Sequence, residues 1–286
     1  MSNLEGHADM VRLDLPLYDI VHDCVGNPGN ADFIAFFNGN QFMVLADLFA
    51  AFRLDSDKSQ TLYYETLPPG ILAKQITAHG RLDIGSLQLH VNPDVFAAGH
   101  QEMQQLASHL LPPVPYAQNH LALVMPKGAS NLATLSDLGR LSVRVLMPNP
   151  MTEGIARLAR RALEMDGGPQ LAKTVFEEKV RRQETVFTTV HHRETIPAIA
   201  QGQFDVGVVW VSEAMYAASQ GFPIVWAPFP SHANPVGRYY IAALKQAPHP
   251  DTAQQFLRFI ASQTAQDIYH RYGFEAPNQD TPFDGF

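Results

Sequence analysis

The stretch TTVHHRETIPAIAQGQFDVGVVW, residues 188–210, raises the main chemical question of this sequence. Two histidines, an arginine and a glutamate stand side by side between an apolar strand pattern and a helical pattern. Imidazole, guanidinium and carboxylate groups can ligate a metal, work as an acid and a base, or hold an anion. The elements that position these side chains decide which chemistry is open to them.

Metal binding and anion binding make different demands on this stretch. Adjacent residues of an extended chain point to opposite faces, so we expect His191 and His192 not to share one ion unless the chain turns sharply. A metal would then need one histidine and a carboxylate, and the candidates are His191, His192, Glu65, Glu153 and Glu194. Arg193 beside a helix N-terminus favours an oxyanion or a carboxylate. Pairing of Arg193 with Glu194 or with another part of the protein is the structural alternative.

The sequence contains few features that would indicate an enzyme. There is no His-Glu-x-x-His, no Gly-x-Ser-x-Gly, no phosphate loop and no dinucleotide glycine fingerprint. A histidine beside a glutamate could transfer protons, but no nucleophile or cofactor motif accompanies the pair. We therefore predict a protein that is not an enzyme, with no catalytic residues and no cofactor.

Composition narrows the class of protein further. The 286 residues are 46% hydrophobic and 17% charged, with a net charge of −8 and scattered lysines and arginines, so a nucleic-acid partner is not expected. A single cysteine, Cys24, excludes an internal disulfide framework. No stretch reaches the roughly 18 to 20 apolar residues of a membrane span. The first residues lack the features of a signal peptide, which predicts a cytosolic chain or a mature chain without its leader.

Strand-like and helix-like segments alternate from about residue 30 onward, after an irregular arm formed by residues 1–29. Such alternation predicts parallel sheets covered by helices. Ligands of open α/β sheets bind beyond the carboxyl ends of the strands, where helix N-termini present N–H groups. Four strand-to-helix turns qualify, two in each half: Asn38 to Asn40, Thr66 to Gly70, Asn149 to Thr152, and His191 to Thr195. They predict two lobes that face each other across a cleft.

Local signals refine two of these turns. Asn149 suits a helix N-cap and Pro150 the first helical position. Pro197 is tolerable only if its helix starts just before it, which would place His191, His192 and Arg193 at the mouth of the cleft.

Several segments resemble, in the right order, the molybdate-binding proteins of ABC importers. They include PPGILAKQI, NPDVFAAG, a crossing strand with its Pro-Lys-Gly turn in NHLALVMPKG, DVGVVWVSEA, and the C-terminal helix pair from PDTAQQFLRFI to IYHRYGF. The resemblance covers about residues 31–275. It implies a two-lobed α/β periplasmic-binding fold with two crossing strands, near 118–125 and 236–244. Lobe 1 would comprise residues 30–121 and 238–286, and lobe 2 residues 122–237.

The resemblance also implies a function and a site. The function is capture of a small solute, an oxyanion or other small anion, by a periplasmic monomer that delivers it to an ABC transporter permease. Carried over by position, the ligand-binding residues are Asn38, Gly39, Asn40, Thr66, Gly70, Met151, Thr152, His192, Arg193 and Trp210. The family's serines in the first two turns are replaced here, Trp210 stands where the family has a tyrosine, and the fourth turn gains charge. The sequence therefore does not name the ligand.

Alternatives remain open at this point. The effector domains of LysR-type regulators also resemble this fold, so a cytosolic sensor is the rival in another class, although no helix-turn-helix precedes residue 31. A binding protein for a metal ion or metal complex is the other. Among single residues, Trp210 could be core, the turn at Asn38 could be only a turn, and Glu65 on an apolar strand could belong to a structural pair.

Overall fold

The computed structural model describes residues 11–13, 23–55, 60–129, 134–189 and 191–277. Within them the chain forms two compact units. The first comprises the chain up to Ala117, Arg238–His270 and the end of the described chain from Ala276; the second comprises Gln118–Gly237 and Arg271–Glu275. The segment from Arg271 to Glu275 is a further crossing that the sequence did not lead us to expect. Among the described helices, none is long and apolar enough to cross a membrane.

Strands and helices follow one another as the alternation of patterns predicts. In chain order they are β1 (Val11–Leu13), β2 (Cys24–Gly26), β3 (Phe33–Phe37), α1 (Phe42–Asp55), β4 (Leu62–Glu65), α2 (Pro69–Thr77), β5 (Arg81–Ile84), β6 (Leu87–His90), β7 (Val95–Ala98), α3 (His100–Gln105), β8 (Val114–Asn119), β9 (Leu121–Pro126), β10 (Val145–Met147), α4 (Gly154–Lys173), α5 (Lys179–Arg181), β11 (Thr185–Phe187), α6 (Thr195–Ala200), β12 (Val206–Trp210), α7 (Val211–Ser219), β13 (Ile224–Pro228), β14 (Gly237–Ala243), α8 (Pro250–Ile260) and α9 (Gln263–Arg271).

The sheet of the first unit has the order β1-β2-β4-β3-β7-β14-β8. Its centre is parallel, because β3 pairs in parallel with both β4 and β7. Its flanks are antiparallel, since β2 pairs that way with β4 and β14 with β7. The sheet is therefore mixed, and the predicted parallel arrangement is limited to the strands joined by crossover helices. An aromatic core holds β3 to α8, with the rings of Phe33 and Phe256 centred 4.8 Å apart.

The sheet of the second unit has the order β11-β10-β12-β9-β13 and is mixed in the same way. β10 pairs in parallel with β11 and β12, whereas β9 lies antiparallel to β12 and β13. α4 covers one face and is interrupted at Gly168, whose φ of 75° is left-handed, followed by Pro169. Proline is accommodated there because it begins a new helical segment.

Two segments of the N-terminal arm form strands, so the expectation of an irregular arm is wrong for them. β1 pairs with β2, and β2 pairs with β4, both antiparallel. Gly26 has a φ of +106°, and a Cβ atom there would lie 2.2 Å from the carbonyl oxygen of Leu62. Only glycine permits that approach. Residues 1–10 and 14–22 of the predicted arm lie outside the described residues.

Candidate functional site

The first predicted turn follows β3 and opens the helix α1. A 3₁₀ turn at Gly39–Gln41 runs directly into α1, and Asn38 stands at its N-cap. The N–H of Asn38 donates to the carbonyl of Ala97 at 3.2 Å. The side-chain oxygen of Asn38 is buried and has no hydrogen-bond partner among the described residues. Gly39 and Asn40 are buried as well, so this turn is an interior feature of the first unit.

Three buried tyrosines hold the side chains that follow Asn38. Asn40 donates its amide N–H to the hydroxyl of Tyr239. The oxygen of Gln41 accepts from Tyr116 at 2.8 Å and from Tyr269 at 3.0 Å. Burial raises the pKa of Tyr116 well above its ordinary value, so its hydroxyl keeps its proton. The network that fixes this turn is therefore uncharged.

The second predicted turn contributes less than expected. Thr66 is fully buried, and its N–H donates to the carbonyl of Asp23 at 2.8 Å. That N–H is consequently committed within the unit. Gly70 is exposed in the first turn of α2.

Glu65 ends β4 immediately before that turn and is completely buried. Its Oε1 accepts from the hydroxyl of Tyr63 at 2.9 Å and from the amide of Gln75 at 3.1 Å. Burial, opposed by these two hydrogen bonds and reinforced by the charge of Asp23, raises the pKa of Glu65 to about 7. Glu65 thus has neutral partners in the first unit, which fits the structural alternative.

The third predicted turn lies at the entry to α4, and its geometry differs from the sequence prediction. α4 begins at Gly154 with Glu153 as N-cap, so Asn149 is not the cap and Pro150 is not the first helical residue. The side-chain oxygen of Asn149 instead accepts the N–H of Met151 at 3.0 Å, and its carbonyl accepts the N–H of Thr152 at 3.2 Å. Asparagine favours such local turns over helix entry. Met151 and Thr152 are exposed.

At the fourth predicted turn His191 is the N-cap of a 3₁₀ turn at His192–Glu194, which continues into α6. The sequence led us to expect His191 and His192 to point apart unless the chain turns sharply, and the turn found here brings their rings to 4.1 Å. Pro197 lies near the start of α6, as its tolerance in a helix requires.

The main-chain N–H groups of this turn are already bonded, so the expectation of free donors is also wrong. The N–H of Arg193 donates to Nδ1 of His191 at 3.1 Å, and that of His192 to Oε2 of Glu153 at 2.8 Å. The chemistry open to a ligand here lies in side chains. Arg193 is 6% exposed.

Glu153 ties three segments of the second unit together. One oxygen accepts from the hydroxyl of Thr188 at 2.6 Å and from the N–H of Asn149 at 3.2 Å. The other accepts from both the main chain and Nδ1 of His192. Burial alone would raise the pKa of Glu153, but the charge of His192 and these hydrogen bonds outweigh it, and the pKa lies below its ordinary value.

His192 has a second carboxylate partner that the sequence reading missed. Its Nε2 lies 3.2 Å from Oε1 of Glu213. Burial opposes the charged ring, but the charges of Glu213 and Glu153 prevail and raise the pKa of His192 to about 10. For His191, burial and the neighbouring charges of His192 and Arg193 lower the pKa well below its usual value. One ring is thus an imidazolium and its neighbour is neutral.

The same cluster bears on the metal alternative. Ligating atoms of Glu153, His191 and His192 lie within 4.8 Å of one another, which is compatible with an ion. An ion there would have to displace the proton of His192 and the hydrogen bond from the N–H of Arg193 to Nδ1 of His191. Of the other metal candidates, Glu194 accepts the N–H of Thr189, and Glu65 accepts from Tyr63 and Gln75. The donor set fits a buried ionic network better than a metal centre.

Trp210 ends β12 and lies in the hydrophobic core of the second unit. Its ring packs on Gly237, where an added Cβ would lie 2.4 Å from the ring atoms. Its main-chain N–H donates to Oε2 of Glu213 at 3.1 Å. The signal for Glu213 was present in the sequence, because an acidic residue three positions after a helix N-cap commonly bonds back to the cap.

Two units, each a mixed sheet covered by helices, with ligand-type turns at strand ends, define the fold class of solute-binding proteins. The periplasmic molybdate-binding protein of Azotobacter vinelandii is similar in structure, with a TM-score of 0.69, 17% identity, and coverage of 86% of this chain and all of that one. The sulfate-binding protein SubI of Mycobacterium tuberculosis has a TM-score of 0.70 at 15% identity, with coverage of 86% and 87%. These likenesses confirm the predicted fold.

Sequence comparison gives the family. The model of the bacterial extracellular solute-binding protein family matches residues 36–275. The chain therefore belongs to this family, and that membership favours solute binding over the sensor alternative. The molybdate-binding protein ModA of Mycobacterium bovis is 27% identical over 173 residues, which are 60% of this chain. The match spans only 59% of the length of that relative.

Proposed function

We propose that this protein binds a small anion and delivers it to an ABC transporter permease. In this proposal it works in the periplasm, as a monomer, and catalyses no reaction. The observation that carries the proposal is the family match, which includes most of both units. The relatives named for molybdate and sulfate support an oxyanion as the class of solute.

The second unit supports an anion through its side chains. Arg193 is a buried guanidinium on the same turn as the charged His192, and a guanidinium offers a planar fork of donors that suits carboxylate and phosphate-like groups. The main-chain N–H groups of Met151, Thr152, His192 and Arg193 already have protein acceptors. Within the oxyanion class, we therefore infer a solute with carboxylate or phosphate-like geometry.

The first unit supports an uncharged contribution. The buried side-chain oxygen of Asn38 lacks a partner among the described residues. A buried polar group without a hydrogen bond costs roughly 1 to 3 kcal/mol. The side-chain oxygen of Asn38 is an acceptor, so a protonated anion such as hydrogen phosphate could remove that cost, whereas molybdate or sulfate could not. Asn38, Gly39 and Asn40 stay in the proposed site, whereas the main-chain N–H of Thr66 is already bonded to Asp23.

The test is calorimetry with molybdate, sulfate, phosphate and small carboxylates on the full chain. Arg193→Ala should weaken binding of the preferred anion about tenfold to hundredfold, because a charged hydrogen bond contributes roughly 1.5 to 3 kcal/mol. Arg193→Lys should restore only part of the affinity. Arg161→Ala, an exposed arginine of α4, is the matched control and should bind normally.

Two results would contradict the proposal. Wild-type affinity in Arg193→Ala would remove Arg193 from the site. Loss of binding on chelation, with recovery on addition of a divalent ion, would establish the metal alternative instead.

A further inference from the structure

Glu213 is a buried carboxylate that no part of the proposed function has yet used. It stands three residues after Trp210, in the first turn of α7, and is 4% exposed. Oε2 accepts the main-chain N–H of Trp210 at 3.1 Å, and Oε1 lies 3.2 Å from Nε2 of His192. A carboxylate so deeply buried is costly unless partners compensate it. Its position near a helix N-terminus is favourable for a negative charge.

Both nitrogens of the His192 ring face carboxylates. Nδ1 bonds to Glu153, at the entry to α4, and Nε2 faces Glu213 at the start of α7. A neutral imidazole has one N–H, whereas an imidazolium carries a proton on each nitrogen and a charge that attracts both carboxylates. On its own turn, burial and the charges of His192 and Arg193 lower the pKa of His191. The ring of His192 is thereby fixed in position and in charge.

This arrangement changes the role expected for His192. Nδ1 of His192 is bonded to Glu153, and Nε2 forms an ion pair with Glu213 without hydrogen-bond geometry, so a protein carboxylate lies against each side of the ring. His192 joins the entry to α4, the start of α7 and the turn that carries Arg193. Resting on the proposed function, we propose that Glu213 is a positioning residue of the solute site. Through His192 and the main chain of Trp210 it fixes the turn that carries Arg193, without touching the solute.

The test uses Glu213→Gln in the full chain, because glutamine keeps the shape and one acceptor oxygen but removes the charge. The first readout needs no solute: the titration of the His192 ring followed by NMR, with the signal assigned by difference from His192→Asn. Its midpoint should fall by at least about one pH unit when one of two carboxylates is neutralised. Glu164→Gln, an exposed glutamate of α4, is the control and should leave the midpoint unchanged.

The second readout is calorimetry with molybdate and sulfate as probes. Glu213→Gln should bind the probe that wild type prefers roughly threefold to thirtyfold more weakly, since a misplaced charged donor loses part of a bond of roughly 1.5 to 3 kcal/mol. Glu213→Asp keeps the charge and should preserve more of the His192 midpoint than Glu213→Gln. An unchanged midpoint, or unchanged affinity with a shifted midpoint, overturns the positioning role while leaving the proposed function intact.

Two further outcomes also test the positioning role of Glu213. If Glu213→Gln does not fold, the titration of His192 in the wild-type protein still tests the proposal. A His192 midpoint near its ordinary value of 6.5 would overturn the positioning role of Glu213. If wild type binds neither molybdate, sulfate, phosphate nor a small carboxylate, the proposed function fails and the positioning role falls with it. That failure is recognised in the wild-type protein alone.

Discussion

Two turns at strand ends are held in place by different chemistry. They are the turn at Asn38–Gln41 in the first unit and the turn at His191–Glu194 in the second. Each turn follows a strand and is held by side chains from distant parts of its own unit. In the first unit, tyrosine hydroxyls form hydrogen bonds with the side chains of Asn40 and Gln41. In the second unit, the carboxylates of Glu153 and Glu213 lie against the ring of His192.

Because of this difference, the two turns should respond differently to the loss of a side chain and to pH. A neutral network that loses one member leaves unsatisfied dipoles, each costing a modest amount. A charged network that loses one member leaves an uncompensated buried charge, which costs more. The charged network also titrates in an accessible pH range, whereas the buried tyrosines keep their protons.

Removing Glu153 should produce the largest effect. Glu153→Ala takes one carboxylate from the buried His192 and frees Thr188, so we expect a loss of about 3 to 5 kcal/mol in the free energy of unfolding. Both tryptophans of the chain, Trp210 and Trp226, lie in the second unit, so urea unfolding followed by tryptophan fluorescence reports on it. Glu164→Ala is the control. A loss of less than about 1 kcal/mol would show that the network is not a buried ionic one.

The next effect is a pH dependence from Glu65, which lies immediately before the second predicted turn. The pKa of Glu65 rises from 4.5 to about 7 in the folded chain, so folding favours its protonated form. Its stabilising contribution is complete below pH 4.5 and is lost as pH rises to about 7. We expect a decrease of up to about 3 kcal/mol across that window.

Urea unfolding followed by far-UV circular dichroism at a series of pH values measures this slope. Glu65→Gln should flatten it, because glutamine has no proton to lose. A slope unchanged in Glu65→Gln would assign the effect to another group. The His192 contribution is separable, since its raised pKa places the loss between 6.5 and about 10.

Removing Gln41 should cost less than removing Glu153. Gln41→Ala leaves the hydroxyls of Tyr116 and Tyr269 without their acceptor, and we expect a loss of about 1 to 3 kcal/mol, independent of pH near neutrality. Hydrogen exchange of the α1 amides measures it in the first unit. Gln105→Ala, an exposed glutamine of α3, is the control. A loss as large as that of Glu153→Ala would remove the distinction between the two networks.

The smallest effect should come from Met151. Its side chain is 88% exposed, and its N–H is held by the side chain of Asn149. Met151→Ala should therefore change the melting temperature little, corresponding to less than about 0.5 kcal/mol. The anion affinity should stay at the wild-type value in calorimetry. A tenfold loss would show that this exposed side chain contacts the solute.

Local pattern predicted the fold well where one face of an element is buried. β3, β4, β12 and the long helix α4 follow from apolar runs and helical periodicity in the sequence. The hairpin of β5 and β6 was missed, because its side chains are mostly exposed and carry little apolar signal. β13 was not predicted because its residues, IVWAP, do not alternate between polar and apolar side chains and the strand ends on Pro228.

The site was less predictable, because its support comes from distant residues. Spacing predicted the turns at Asn38 and at His191, but nothing near Gln41 indicates that it bonds to Tyr269, 228 positions away. Pairing of Glu153 with His192 also depends on the tertiary fold, which brings together the entry to α4 and the turn after β11. The roles of Arg193 and Trp210 toward a solute stay predictions.

The position of β14 has a consequence for biosynthesis. β14 lies between β7 and β8 in the sheet, yet it is made only after the whole contiguous part of the second unit, Gln118–Gly237. At roughly 5 to 20 residues per second, β7 waits on the order of ten seconds for that neighbour. During the delay it presents an unpaired, apolar edge, which is a template for aggregation. We therefore expect a chaperone to bind the nascent first unit in preference to the rest of the chain.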